Sequence, residues 1–178
     1  AIENEFVKIS INRNGTLNIE DKATGQNLPN AHYFEDCADA GDEYDFSDIK
    51  NDKILDTLKL KADVHTEILG GYKAVAHVSL KWQLPVSLTD DRTRRVSEMR
   101  AAPIEYDVIL TSGNRVIEFR TKIQNNVKDH RLRVVFPTRI QTKTISVESK
   151  FDVINRPLVP PKTKTKWMQP PMNTHHQE

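Results

Sequence analysis

The residues best suited to chemistry are nine acidic side chains between positions 35 and 56. They are Glu35, Asp36, Asp39, Asp42, Glu43, Asp45, Asp48, Asp52 and Asp56. One interpretation is a calcium site, although acidic ligands do not recur at alternate positions before a glycine, as calcium loops require. A second is a carboxylate pair that cleaves a glycosidic bond, which composition cannot single out. The third is a solvated acidic loop, and all three remain open at this point.

The other candidate reactive groups form no complete catalytic set. Adjacent His175 and His176, with Glu178, lack a third well-spaced ligand for zinc. Cys37 has acidic neighbours, which raise the pKa of a thiol and oppose a nucleophilic role. No Ser-His-Asp order, nucleophile elbow, phosphate loop or dinucleotide fingerprint is present, and four histidines are scattered: His32, His65, His77 and His130. We therefore predict no catalytic and no metal-binding residue in this chain.

The charges are distributed unevenly along the 178 residues, although the net charge is only +1. Residues 1–56 contain 13 acidic and 5 basic side chains, whereas residues 57–178 contain 12 and 21, so the two parts carry −8 and +9. A strongly basic half is typical of proteins that bind nucleic acid. The densest basic cluster has no interleaved aromatic residues on which bases could stack, so we predict no nucleic-acid partner. Its members are Arg92, Arg94, Arg95 and Arg100.

Composition also indicates where the chain resides. No apolar run approaches the roughly 18–20 residues of a membrane helix, so we predict no membrane partner. The opening residues do not resemble a signal peptide. A single cysteine excludes a disulfide framework and predicts a cytoplasmic location. Because residue 1 is Ala1 and the last residues contain no helix cap, we expect an excised piece of a longer protein.

The elements that must position these residues are β-strands. Apolar residues alternate on both sides of Asn14-Gly15, a pair that favours a tight hairpin turn. Every even position from Ala74 to Leu88 is apolar, which predicts one long half-buried strand, with Pro85 marking an edge or a break.

Alternation continues through the second half of the chain. It predicts a long hairpin over residues 104–123, with its turn at residues 111–114, and further strands over residues 132–136 and 145–153. No amphipathic helix is evident. Long strands joined by hairpin turns predict an all-β fold, in which antiparallel sheets pack face to face as a β-sandwich.

The last part of the chain has a different composition. Prolines interspersed with lysines cannot form a central strand, so we expect a linker or an extended arm there. We assign residues 1–155 to a β-sandwich domain and residues 156–178 to a Pro/Lys-rich arm that leads to a missing remainder. The prolines are Pro157, Pro160, Pro161, Pro170 and Pro171.

Four parts of the chain resemble, in order, the C-terminal β-region of bacterial glycoside hydrolases of family 38, the α-mannosidases. Residues 33–47, YFEDCADAGDEYDFS, resemble the family stretch YFEDxxDAGDEYxYS. Residues 129–138, DHRLRVVFPT, resemble the family strand xHRLRVxFPT. The opening (residues 2–6, 14–17 and 21–25) is similar to the start of that region, and residues 167–175 are similar to a later loop.

The resemblance implies a fold, an activity and partners. Family members have an N-terminal α/β barrel, a small helical bundle and then β-sandwich domains. The implied fold is therefore a supersandwich of the galactose mutarotase-like type, incomplete at its C-terminus. In the family, zinc and an aspartate nucleophile on the barrel perform retaining hydrolysis of α-mannosides. The resemblance implies that this chain lacks both, that it is inactive alone, and that its partners are the barrel and helical domains and the α-mannoside substrate.

The resemblance also implies a substrate-binding group. In the family, a tyrosine of this region contacts the sugar bound on the barrel, and Tyr44 is the matching residue. Asp42 and Glu43 are then candidate partners of sugar hydroxyls or of barrel cations, with interdomain packing as the alternative. A tyrosine suits the role because it offers an apolar ring and a hydroxyl.

A second class of function stays open at this point. A stand-alone carbohydrate-binding or scaffolding β-sandwich would need an exposed aromatic platform. The chain has only 4 Tyr, 2 Trp and 6 Phe, several at positions that alternate with polar residues and so face a core. Exposed sheet edges would also permit oligomerisation by strand addition.

Overall fold

The protein is built from β-strands in every part that the structure describes. The computed structural model describes residues 1–159, and within this range it contains strands, turns and loops but no helix. The strands are β1 (Ile2–Glu3), β2 (Val7–Ile11), β3 (Leu17–Asp21), β4 (Asn27–Ala31), β5 (Tyr33–Ala38), β6 (Leu55–Asp56), β7 (Ala62–Leu69), β8 (Lys73–Leu80), β9 (Gln83–Pro85), β10 (Met99–Ala101), β11 (Ile104–Thr111), β12 (Ile117–Ile123), β13 (His130–Val135), β14 (Thr144–Ser149) and β15 (Asp152–Pro157). No helix in this range is long and apolar enough to cross a membrane.

The first four strands form an antiparallel sheet in chain order. The predicted hairpin at Asn14-Gly15 is confirmed, since β2 pairs with β3 around it and Gly15 has a φ of 84°. The Asn14 side chain stabilises the turn by accepting a hydrogen bond from the Thr16 backbone N–H at 3.1 Å. Ile9 and Leu17 are fully buried on the inner face, which is why the alternating pattern of this segment is so regular.

The second large sheet has the order β12-β11-β8-β7, and all its pairs are antiparallel. The predicted hairpin over residues 104–123 is confirmed as β11 and β12. The prediction of one strand from Ala74 to Leu88 is wrong: β8 ends at Leu80, and β9 pairs with β10 in a separate two-stranded sheet. The alternation nevertheless continues across the break because Trp82 and Leu84 are also buried in the core.

A third sheet has the order β13-β5-β6. One apolar core contains side chains of all three sheets, for example Ile9 of β2, Phe34 of β5 and Val108 of β11. The all-β antiparallel sandwich is therefore confirmed. Strand β5 pairs with β13 along its whole length, from Tyr33 opposite Val135 to Ala38 opposite His130.

The last described strands form a two-stranded hairpin, β14-β15. Its strands correspond to the predicted strand segment at residues 145–153. Strand β15 ends at Pro157, two residues beyond the predicted end of the sandwich domain, and it lies at the edge of its sheet, where proline is tolerated. The predicted arm otherwise falls almost entirely on residues 160–178, outside the described residues, and its assignment stays a prediction.

Candidate functional site

A loop of 16 residues connects β5 to β6 and contains six of the nine acidic residues singled out above. We call residues 39–54 the acidic loop. It leaves the sandwich at Ala38, the end of a strand whose even positions face the core. Its base is therefore attached to a rigid sheet, and its first nine residues turn back on themselves through a dense set of hydrogen bonds.

The carboxylate of Asp39 closes the neck of the acidic loop. Its Oδ1 accepts hydrogen bonds from the backbone N–H groups of Gly41, at 2.8 Å, and Ser47, at 2.9 Å. The Ala40 N–H donates to the Ser47 carbonyl at 2.8 Å, which joins the two backbone segments that form the neck. One carboxylate that serves two backbone donors is a typical way to order an otherwise irregular segment.

The tip of the loop is a second turn, built by Asp42. Its Oδ1 accepts from the N–H groups of Tyr44, at 2.9 Å, and Asp45, at 3.0 Å, while the Asp42 N–H donates to the Asp45 carbonyl at 3.2 Å. A Cβ on Gly41 would lie 1.8 Å from the Asp45 carbonyl oxygen, so only glycine allows this close approach. The tip is consequently a compact and specific backbone conformation.

This turn presents Tyr44 to solvent. The side chain is 84% exposed, which is unusual for an aromatic residue on an ordered turn. Glu43 is also exposed, next to it. The structure thus brings the three residues predicted to bind substrate, Tyr44, Asp42 and Glu43, to one tip. There the Asp42 carboxylate already accepts two hydrogen bonds from the turn itself.

A buried charge network lies beneath the acidic loop, and sequence reasoning missed it. Asp36 on β5 is fully buried, and its two carboxylate oxygens contact the Arg95 guanidinium and His130 Nδ1. Arg95 also binds Asp52 through Nε at 3.0 Å and Nη2 at 3.3 Å. Burial by itself lowers the pKa of Arg95, but the hydrogen bonds that Arg95 donates to Asp52 and Asp36, together with their negative charges, outweigh it and raise that pKa.

The interpretation of residues 35–56 as a solvated loop is therefore wrong for Asp36 and Asp52. The burial of Asp36 was predictable from the sequence, because in an alternating strand it lies on the same face as Phe34 and Ala38. A charged residue in that phase must find a partner when buried. Nothing in the local sequence indicates that its partners are Arg95 and His130.

Two further titratable groups lie away from the loop tip. The pKa of the Cys37 thiol is raised, as predicted, but chiefly by burial, with acidic Asp36 as the least of its causes. His77, on the outer face of β8, contacts Asp107 at 2.6 Å and Glu67 at 2.9 Å, and these hydrogen bonds raise its pKa. Within residues 1–159, no three His, Cys, Asp or Glu side chains are arranged to hold a metal ion.

The fold and the loop define a class: an antiparallel β-sandwich domain that presents one ordered acidic loop. The chain belongs to the glycosyl hydrolases family 38 C-terminal domain family, whose model matches residues 2–177.

Solved structures support this assignment. An alpha-mannosidase from Enterococcus faecalis V583 is 30% identical, with a TM-score of 0.85, over 99% of this chain and 21% of that one. A glycosyl hydrolase family 38 protein from Enterococcus faecalis is 31% identical, with a TM-score of 0.82, over 88% and 20%.

A curated relative covers nearly the same span. The "Putative mannosylglycerate hydrolase" of Halalkalibacterium halodurans is 25% identical over an alignment of 191 residues, which covers 99% of this chain and 21% of that protein. The chain thus spans about one fifth of the length of the relatives it matches.

Proposed function

We propose that this chain is the part of a retaining α-mannosidase that helps to hold substrate, and that the bond-breaking groups lie on other domains of the same protein. Family membership and similarity to an alpha-mannosidase support the activity. The sandwich would then act as a rigid support rather than as a catalyst.

The observation that carries the proposal is the exposed Tyr44 on an ordered turn. Exposing an aromatic ring costs favourable burial, and fixing a loop costs conformational entropy. Both costs are reasonable if the ring lies against a sugar, since aromatic faces and phenol hydroxyls suit sugar C–H groups and hydroxyls. Glu43 would add an acceptor for a sugar hydroxyl or a barrel cation, and Asp42 would hold the turn.

The test uses the complete polypeptide that carries this domain, with an aryl α-mannoside as substrate. Tyr44→Phe removes one hydrogen bond and should lower kcat/KM by about 2- to 10-fold, whereas Tyr44→Ala should lower it more. We expect the fall in kcat/KM to come mostly from a higher KM, because the ring binds substrate and transition state alike.

The matched control is Tyr72, another exposed tyrosine, on the turn between β7 and β8. Tyr72→Ala should leave kcat/KM unchanged. Equal effects at the two tyrosines would refute the assignment. The chain without the other domains should not hydrolyse the mannoside, and turnover by it would show that the bond-breaking groups lie here.

A further inference from the structure

Besides Arg95, which binds Asp52, a second arginine outside the acidic loop contacts the start of the loop. The Arg92 guanidinium contacts the neck from below: Nη2 donates to the carbonyl oxygens of Gly41, at 3.1 Å, and Asp39, at 3.4 Å. Nη1 donates to Asp129 Oδ1 at 3.1 Å. Arg92 therefore joins the loop to the chain just before β13, which is paired with β5.

Arg92 is itself held in position. It lies in a turn in which its N–H donates to the Thr89 carbonyl at 2.7 Å, and its backbone adopts a φ of 53°. Asp129, its carboxylate partner, also accepts from the Leu88 N–H at 3.3 Å, and its carbonyl accepts from the Asp39 N–H at 3.0 Å. Arg92 and Asp129 thus form one frame around the start of the loop.

The frame is connected to the loop tip through a short segment that is closed by hydrogen bonds and a tight backbone contact. Gly41, whose carbonyl Arg92 binds, is packed against the Asp45 carbonyl, and Asp42 bonds the N–H groups of Tyr44 and Asp45. A shift of the Gly41 carbonyl is therefore transmitted to the Tyr44 backbone.

From this geometry we propose that Arg92 is a positioning residue for substrate binding, which sets the place of Tyr44 although it does not touch the sugar. The proposal rests on the proposed function of Tyr44. The planar guanidinium fork is essential, because it reaches two carbonyls and a carboxylate at once, which a lysine ammonium on its flexible stem does not reproduce.

A merely stabilising surface ion pair predicts a different result. The Arg92 side chain is 44% exposed, and exposed ion pairs contribute little to folding stability. Arg92→Ala should therefore leave the melting temperature of the complete protein nearly unchanged. A positioning role instead predicts a kinetic loss, since small misplacements of a substrate-contacting group are costly.

The experiment is a double-mutant cycle in the complete protein, with an aryl α-mannoside. Arg92→Ala should raise KM about 5-fold or more with little change in kcat, since it displaces Tyr44. In the Tyr44→Ala background, adding Arg92→Ala should change KM by less than about 2-fold, because the group it positions is absent. Arg92→Lys, which keeps the charge, should behave like Arg92→Ala and serves if the alanine variant fails to fold.

Arg94→Ala is the control, because Arg94 is an exposed arginine of the same turn and should leave KM unchanged. A similar rise in KM for Arg92→Ala with and without Tyr44 would overturn the positioning role. So would an unchanged KM for Arg92→Ala when Tyr44→Ala raises it. If Tyr44→Ala itself has no effect, the proposed function fails, and the role of Arg92 fails with it.

Discussion

At the scale of single residues, His32 shows how burial decides the behaviour of a titratable group. It is almost fully buried and stacks on Phe119, with ring centroids 4.6 Å apart, and next to Tyr106 at 4.4 Å. Its Nδ1 has no hydrogen-bond partner. Burial lowers the pKa of His32 from 6.5 to about 4, so the ring is neutral at pH 7 and packs as an aromatic residue.

This predicts acid sensitivity with a definite sign. Between pH 6.5 and about 4 the unfolded chain binds a proton that the folded chain does not, so stability falls as the pH falls. The free energy of unfolding should fall by up to roughly 3 kcal/mol across this pH range because of His32. His32→Asn removes the titration and tolerates the positive φ of 60°, so the free energy of unfolding from urea titrations should depend less on pH there.

His77 provides the internal control for that measurement. Its pKa is raised by its bonds to Glu67 and Asp107, so its contribution is present below pH 6.5 and is lost as the pH rises through the folded pKa. The two histidines therefore change the stability of the protein in different pH ranges. An unchanged slope below pH 6.5 in His32→Asn would contradict the role of His32.

At the scale of elements, two hairpin glycines make a matched pair. Gly15 and Gly113 have φ values of 84° and 75°, so alanine at either costs about 1–2 kcal/mol of backbone strain. A Cβ at Gly113 would meet nothing within 4 Å, whereas one at Gly15 would lie 3.0 Å from the Tyr106 hydroxyl and 3.3 Å from Ala62 and Val78. The Tyr106 hydroxyl also donates to the Gly15 carbonyl.

We therefore expect Gly15→Ala to destabilise the fold by about 1–3 kcal/mol more than Gly113→Ala, because it adds overpacking between the two sheets to the strain. Urea unfolding of both variants measures the difference. Equal losses would mean that the first turn moves freely away from the facing sheet.

These elements also show what local sequence can and cannot predict. Hairpins at Asn14-Gly15 and residues 111–114 were predictable because the turn residues and both strands lie close together in the chain. The break between β8 and β9 was not predictable. Trp82 and Leu84 continue the alternation of buried residues, while the strand partner changes from β11 to β10. The pairing of β5 with β13 depends on residues almost a hundred positions apart, and the partners of Asp36, Arg95 and His130, lie 59 and 94 positions from it.

At the scale of the whole molecule, the uneven charge distribution becomes balanced by folding. Acidic residues of the first third pair with basic residues of the rest: Glu35 with Arg133, and Asp36 and Asp52 with Arg95. Within residues 1–159, these ion pairs join the acidic part of the chain to the basic part.

Arg95 pairs with both Asp36 and Asp52, so we expect its replacement to destabilise the fold strongly. Arg95→Ala leaves the fully buried Asp36 without its arginine, and breaking such a pair typically costs about 3–5 kcal/mol. Arg100→Ala, which removes an exposed pair with Glu98, should cost less than about 1 kcal/mol. Denaturant midpoints compare the two variants, and a similar small loss at both would show that Asp36 is readily hydrated.

The long-range origin of the loop frame has a consequence for how the protein acquires its function. Hairpins such as β2-β3 and β11-β12 close over short sequence distances, and such contacts form early in folding. The contacts that hold the acidic loop join Asp39 and Gly41 to Arg92, and Asp39 to Asp129, so they require closure of loops of 50 to 90 residues. We therefore expect the attachment of the acidic loop to the frame to form late in folding, so that Tyr44 is placed relative to the sandwich only after the hairpins have closed.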